Sequence, residues 1–273
     1  MDWEKEWERA QAQAMLSKCR VGKADFCGYF NRIAGDYLKE ALADEPFYRG
    51  IVGFLESEGY FREGEDVLDI ACGPGTYTLH FAERARSVAA LDPAEGMLSV
   101  LMQEAERRGL SNIRPMRSRW EEHDGDERYD LVFTALSPGI TGPATFLKME
   151  RYSKRSCCYI GFGDVSNNEL SDELWELIMG ESRKSRGFSI GYPFNVLLSK
   201  GRKPNVRYCK SERTSSEPCD EVIKSNLDWL GMFTAVDRGK EKKVRDHVLA
   251  RSRNGFYAHI ARQSLVALYW DVT

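Results

Sequence analysis

The sequence predicts an α/β protein: a doubly wound, mostly parallel sheet of seven strands with helices before it and helical inserts after it. Three observations carry that prediction. An apolar run at residues 67–71 passes directly into a glycine turn and then a helix-like stretch. From there to about residue 163, strand-like and helix-like segments alternate. Seven strand-like runs can be placed along 273 residues, a length that suits one large domain or one domain with a substantial insertion.

Each element has its own signature. Residues 2–18 place Trp3, Trp7, Ala10, Ala14 and Leu16 on roughly helical spacing. Phe26 to Leu42 repeats the pattern with Phe26, Tyr29, Phe30, Ile33, Tyr37, Leu38 and Leu42. A third helix, Tyr48 to Ser57, follows Pro46 and ends near Gly59. Val67, Leu68, Ile70 and Ala71 make the first strand, and Thr76 to Arg84 reads as the helix beyond the turn. Ser87 to Leu91 is a second strand, and Ala94 to Arg108 a helix that stops at Gly109. Ile113 to Met116 is a short strand broken by Pro115; Tyr129 to Ala135 and Cys157 to Gly163 are the fourth and fifth. Leu170 to Arg183 is helical, and Tyr192 to Asn195 an aromatic turn leading into Val196–Leu198. Asn205 to Cys209 is a sixth strand. Helices at Pro218 to Leu230 and Lys240 to Ser252 precede a last strand, Ser264 to Trp270.

The strand, glycine turn and helix N-terminus at 67–84 form a place where backbone can closely approach a nucleotide-like ligand. Asp69 lies inside the apolar strand, where a carboxylate needs donors or a cation nearby. A dinucleotide dehydrogenase would want a third glycine three residues after the second, and position 78 holds Thr78. Asp92 stands 17 residues after Gly75, at the end of the next strand. An acid there can accept hydrogen bonds from both ribose hydroxyls. Its other reading is a helix N-cap for the segment from Pro93 onward.

Val67-Leu68-Asp69-Ile70-Ala71-Cys72-Gly73-Pro74-Gly75 resembles the first motif of the class I S-adenosylmethionine-dependent methyltransferases, commonly Val-Leu-Asp-x-x-Cys-Gly-x-Gly. The resemblance implies a Rossmann-like methyltransferase fold and S-adenosyl-L-methionine as cofactor. It puts Asp69, Ala71, Cys72, Gly73, Gly75 and Thr76 around the donor, with Asp92 on its ribose and Pro93 and Met97 beside it. Phe30 to Tyr37 resembles the Ala-x-x-Tyr element of that family, which adds Tyr37 as part of a cap. Many relatives have an acid after the third strand to meet the adenine amino group. This chain has Arg117-Ser118-Arg119-Trp120-Glu121, so Trp120 is a candidate for stacking on the purine and the Arg119 backbone for its ring nitrogen.

The family usually places the acceptor side of the pocket at the end of the fourth strand, here Leu136-Ser137-Pro138-Gly139-Ile140. That loop is not the Asn-Pro-Pro-Tyr type, which argues against methylation of adenine or glutamine nitrogens of that kind. Helical inserts before the last strand roof the acceptor in many relatives, and Tyr192, Phe194, Trp229 and Tyr257 are pocket candidates by composition. The expected organisation is a helical cap at 1–60, a donor-binding core at 61–165, and at 166–273 the rest of the sheet with the acceptor-side inserts. Methyl transfer from a sulfonium is an in-line displacement in which positioning supplies most of the acceleration. A base is needed only for an acceptor that holds a proton at high pKa. None of His80, His123, His247 and His259 has a motif behind it, and no catalytic residue is assigned.

Composition bounds the partners. No run approaches the ~18 apolar residues that span a bilayer, and the charged, acidic N-terminus is not a secretory signal. Seven cysteines without C-x-x-C spacing point to no metal site and to reduced thiols in a cytoplasm. The net charge of −3 divides into −9 for residues 1–150 and +6 for residues 151–273. The basic clusters Arg151/Lys154/Arg155, Arg183/Lys184/Arg186, Lys200/Arg202/Lys203 and Lys240/Lys242/Lys243 allow an anionic acceptor or simply solvated helix faces. The expected partner is a small-molecule acceptor, with no membrane and with nucleic acid disfavoured by the mildly acidic pI of 5.9. An RNA- or protein-modifying methyltransferase and a non-catalytic donor-binding module are the alternatives.

Overall fold

The computed structural model describes residues 1–13, 26–163, 169–182 and 189–273. Ala14, Leu16, Cys19, Arg183, Lys184 and Arg186 lie outside the described residues. Three helices come first: α1 (Trp3–Gln13), α2 (Phe26–Ala43) and α3 (Glu45–Ser57). The alternating part follows as β1 (Asp66–Ile70), α4 (Thr78–Ala82), β2 (Ser87–Leu91), α5 (Glu95–Arg107), β3 (Ile113–Met116), β4 (Tyr129–Ala135), α6 (Pro143–Tyr152) and β5 (Ser153–Phe162). The chain closes with α7 (Glu169–Met179), α8 (Gly191–Ser199), β6 (Asn205–Pro218), α9 (Cys219–Leu230), α10 (Arg238–Leu249) and β7 (Phe256–Asp271).

One seven-stranded sheet runs in the order β3-β2-β1-β4-β5-β7-β6, and β7 is antiparallel to its neighbours. Alternation of side chains across the pleat separates two cores. Val67, Val88, Leu131, Phe133 and Ile160 face α3, α4 and α5, while Leu68, Ile70, Val132, Tyr159 and Trp270 face α1, α6 and α8. Pro115 does not break β3. It pairs in register with Ala90 from an edge strand, where a missing N–H is tolerated. Among the described residues, no helix is long and apolar enough to cross a membrane.

Three expectations are corrected. Tyr192 to Asn195 is the first turn of α8 rather than an aromatic turn; Pro193 fits because the first N–H groups of a helix have no partner within it. The helix after the glycine turn is only Thr78–Ala82. Strands β6 and β7 run far past the expected ends at Cys209 and Ser264, pairing continuously from Asn205↔Tyr269 to Pro218↔Phe256. Backbone hydrogen bonds hold that extension, and they require no apolar side chains. At its far end α7, α9 and α10 close around a separate core of Leu174, Trp175, Val222, Ile223, Val244 and Val248.

Candidate functional site

Strand order reverses between β1 and β4, so their C-terminal ends diverge and leave a crevice, the position where open α/β sheets bind ligands. A cavity of about 390 Å³ occupies it. The backbone prepares this place at some cost: Ala71 after β1 and Leu136 after β4 both have left-handed φ, at 55° and 52°, without being glycine. Such residues cost of order 1–3 kcal/mol each, and both line the cavity.

The chain bends over the strand end at Gly73 (φ 55°) and Gly75 (φ 97°). A side chain at Gly73 would point into open space, whereas one at Gly75 would strike Leu101 Cδ1 at 2.4 Å. Asp92, 7% exposed, ties bend to wall: Oδ2 accepts from the Gly73 N–H at 3.0 Å and Oδ1 from the Ala94 N–H at 2.8 Å. Burial pushes its carboxyl up, and those two donors oppose the rise. The capping reading of Asp92 is corrected: the N-cap of α5 is Ala94, and Asp92 instead binds the N–H of Ala94 just before the helix while bordering the cavity.

Helix α2 roofs the space with Phe26, Cys27, Phe30 and Tyr37. It lies hard against α5: the Gly96 N–H donates to Asn31 Oδ1 at 2.7 Å, and a Cβ on Gly96 would sit 3.0 Å from the Asn31 backbone. Arg119 reaches across from the loop after β3, with Nη2 3.6 Å from Cys27 Sγ. Burial, with Tyr48 and Glu40 nearby, pushes the Tyr37 hydroxyl well up, so it stays protonated.

Of the residues singled out in the sequence, Ala71, Gly73, Asp92, Pro93, Met97, Arg119, Trp120 and Tyr37 meet around this cavity. Asp69, Cys72, Gly75 and Thr76 do not line it. Asp69 points to the α4 side, where Oδ2 accepts from Thr78 Oγ1 at 2.6 Å. Burial pushes its carboxyl up to about 7; the Thr78 hydrogen bond lowers it and the Asp92 charge raises it further. Cys72 packs into the core and Gly75 lies against Leu79 and Leu101. Trp120 presents only an edge: it is 2% exposed, Nε1 donates to the Thr145 carbonyl at 2.8 Å, and the Lys148 ammonium sits 4.6 Å from its ring centre. Sequence reading did not single out Cys27, Leu91 or Ala94, which line the cavity through backbone position or helix register. Tyr192, Phe194, Trp229 and Tyr257 do not line it; they pack under α8 or into the far helical core.

A glycine bend, an acidic strand end and a roofing helix surround one cavity at the switch point, the place where doubly wound proteins bind ligands. Residues 67–151 match the family model described as a methyltransferase domain. An uncharacterized protein of Haemophilus influenzae is 28% identical over 213 residues, 76% of each chain. The malonyl-[acyl-carrier protein] O-methyltransferase of Serratia marcescens is 35% identical over 83 residues, 30% of this chain and 31% of that one. The magnesium protoporphyrin IX methyltransferase of Synechocystis, solved with bound S-adenosylhomocysteine, shares the fold at a TM-score of 0.52 and 14% identity, over 88% of this chain and 96% of that one. Residues 67–151 are thus similar to a methyltransferase domain, and the chain shares its fold with a methyltransferase solved with bound S-adenosylhomocysteine.

Proposed function

We propose that this protein transfers a methyl group from S-adenosyl-L-methionine to a small-molecule acceptor. The observation that carries the reading is the cavity beneath α2, bounded by the Gly73 bend and Asp92. Its volume of about 390 Å³ suits a nucleoside-sized ligand. Asp92 would hold the ribose, Gly73 and Ala71 would offer backbone to the amino-acid end, and Met97 with the edge of Trp120 would border the purine. When bound, the cofactor supplies a methyl group already activated by its sulfonium charge, transferred by in-line displacement. The chain's own part is to orient donor and acceptor and exclude water, which α2 does by roofing the site.

The stretch shared with the O-methyltransferase of Serratia marcescens covers 30% of this chain. What the two have in common is therefore donor chemistry, and the acceptor is left to the remaining elements. We assign that part to α2 and to residues 166–273, with 61–165 as the donor core. Helix α1, grouped by sequence with the cap, packs its Trp7 against Phe146 instead. The six cysteines among the described residues are all free thiols, which fits a reducing compartment, and we place the reaction in the cytoplasm.

Calorimetry with S-adenosylhomocysteine tests the donor assignment. Wild-type protein should bind it saturably, and Asp92→Ala should weaken binding by ~1–3 kcal/mol, the cost of losing charged hydrogen bonds. Unchanged affinity in that variant would remove Asp92 from the donor site.

A further inference from the structure

The face of the β6–β7 hairpin turned toward α2 and α3 changes character along its length. Beside β5 it is apolar, with Leu265, Ala267 and Tyr269 in the core and Cys209 against it. Farther out, the same face carries Ser211, Arg213, Ser215 and Glu217, opposite Gln263, His259 and Tyr257 on β7. This is not a solvated surface. Ser215 is buried and Ser211, Arg213 and Glu217 are half-buried, whereas Glu212, Thr214 and Ser216 on the other face are exposed. The cover comes from the start of α3 and the residue before it: Ser211 Oγ donates to Asp44 Oδ2 at 2.7 Å and Gln263 Nε2 donates to Tyr48 Oη at 2.7 Å, while beside the hairpin Lys39 of α2 lies 3.6 Å from Glu221 of α9.

A covered polar wall normally satisfies its own groups. Here two are orphaned among the described residues: Tyr77 Oη, on a side chain 7% exposed, and His259 Nδ1. Tyr77 packs edge-on to Tyr48 at 5.4 Å, and burial beside Tyr48 and Tyr37 keeps its hydroxyl protonated. Glu217 Oε1 accepts from Ser215 Oγ at 2.8 Å and lies 3.8 Å from His259 Nε2. Tyr37 also lines the donor cavity, so wall and donor site adjoin.

We propose that this wall, with Tyr29, Tyr37 and Glu40 of α2 opposite Glu217 and His259, is the acceptor subsite and that its acceptor is an amine. The inference rests on the donor reading above. Tyrosine π faces attract a cation, and two carboxylates favour one over an anion. Burial and then the charge of Glu217 push the Glu40 carboxyl up, while Arg213 and Lys39 act against that rise. In the reaction, an ammonium first loses one proton to water. The nitrogen lone pair then forms the C–N bond as the C–S bond breaks, sulfur keeping that pair, and the product leaves as the methylated ammonium.

The test titrates 2-phenylethylamine and 3-phenylpropionate into protein, with and without saturating S-adenosylhomocysteine. The amine should bind roughly tenfold tighter than the carboxylate. Glu40→Gln and Glu217→Gln should each weaken the amine several-fold, while Glu212→Gln on the opposite face leaves it unchanged. Equal or tighter binding of the carboxylate, no amine binding, or unchanged amine affinity in both Glu variants would overturn the proposal. Failure of S-adenosylhomocysteine to bind would instead overturn the donor reading, and the amine titration alone still decides the acceptor class.

Discussion

Gly73 and Gly75 stand two positions apart and serve different ends. At Gly75 a Cβ would meet Leu101 at 2.4 Å and Leu79 at 3.1 Å, so Gly75→Ala should act on stability, at roughly 1–3 kcal/mol. At Gly73 no atom lies within 4 Å of a Cβ, and Gly73→Val should fold with a penalty of about 1–2 kcal/mol for its left-handed φ. Its S-adenosylhomocysteine binding should be lost. Melting curves and calorimetry on the two variants check the division; a Gly73→Val protein that binds normally would turn the bend away from the ligand. Asp69 makes a pH prediction. Its folded pKa is raised to about 7 from an ordinary 3.8, so its share of stability is greatest below about 4 and falls as pH rises to about 7. Asp69→Asn, which can still accept from Thr78, should therefore gain in melting temperature relative to wild type as pH rises from 4 to 7. A constant difference across that range would refute the assignment. The sequence contained the partner in plain view: Thr78 excludes the dinucleotide pattern, and it also holds Asp69. Strand alternation already placed Asp69 on the face away from Leu68 and Ile70.

Among the elements, α2 roofs the cavity. Its seat on α5 has no room for a side chain at Gly96, where a Cβ would lie 3.0 Å from both the Asn31 Cα and its carbonyl oxygen. Backbone cannot swing aside as a side-chain tip does. Gly96→Ala should lift α2, raise amide exchange across residues 26–43, and weaken S-adenosylhomocysteine by about tenfold, or ~1.4 kcal/mol. Exchange confined to wild-type levels would show that the seat is looser than its geometry. Helical spacing revealed that α2 exists and that Phe26, Phe30 and Tyr37 share one side of it. It gave no sign that Gly96, on another helix 65 residues after Asn31, is glycine to admit α2.

At the scale of the molecule, none of the basic residues of the second half lines the cavity among the described residues. Arg155 pairs with Glu65 at 2.7 Å, Lys200 with Glu4 at 2.7 Å, Arg202 with Glu150 at 2.9 Å and Lys242 with Asp246 at 2.6 Å. The basic second half thus ties elements together, three of these pairs crossing between the halves. The far helical core packs as a cluster of its own. Trp175 is 5% exposed and packs on Trp229 at 5.7 Å and Phe233 at 5.0 Å. Trp175→Ala should cost ~3–5 kcal/mol locally, opening α7, α9 and α10 to amide exchange while the sheet stays protected and S-adenosylhomocysteine still binds. Loss of donor binding in that variant would show that the two cores fold as one unit.

The sequence by itself determined the strand, bend and acid that border the cavity. Its strands are short apolar runs, its bend requires glycine, and its acid stands at a fixed distance along the chain, so local rules suffice. Only the tertiary structure decided what lies opposite them. The β6–β7 extension is polar, and polar residues at strand spacing look the same whether they face water or a covered wall. Packing α2 and α3 over one side of the hairpin distinguishes Arg213, Ser215 and Glu217 from Glu212, Thr214 and Ser216, because burial depends on neighbours more than 160 residues away in sequence.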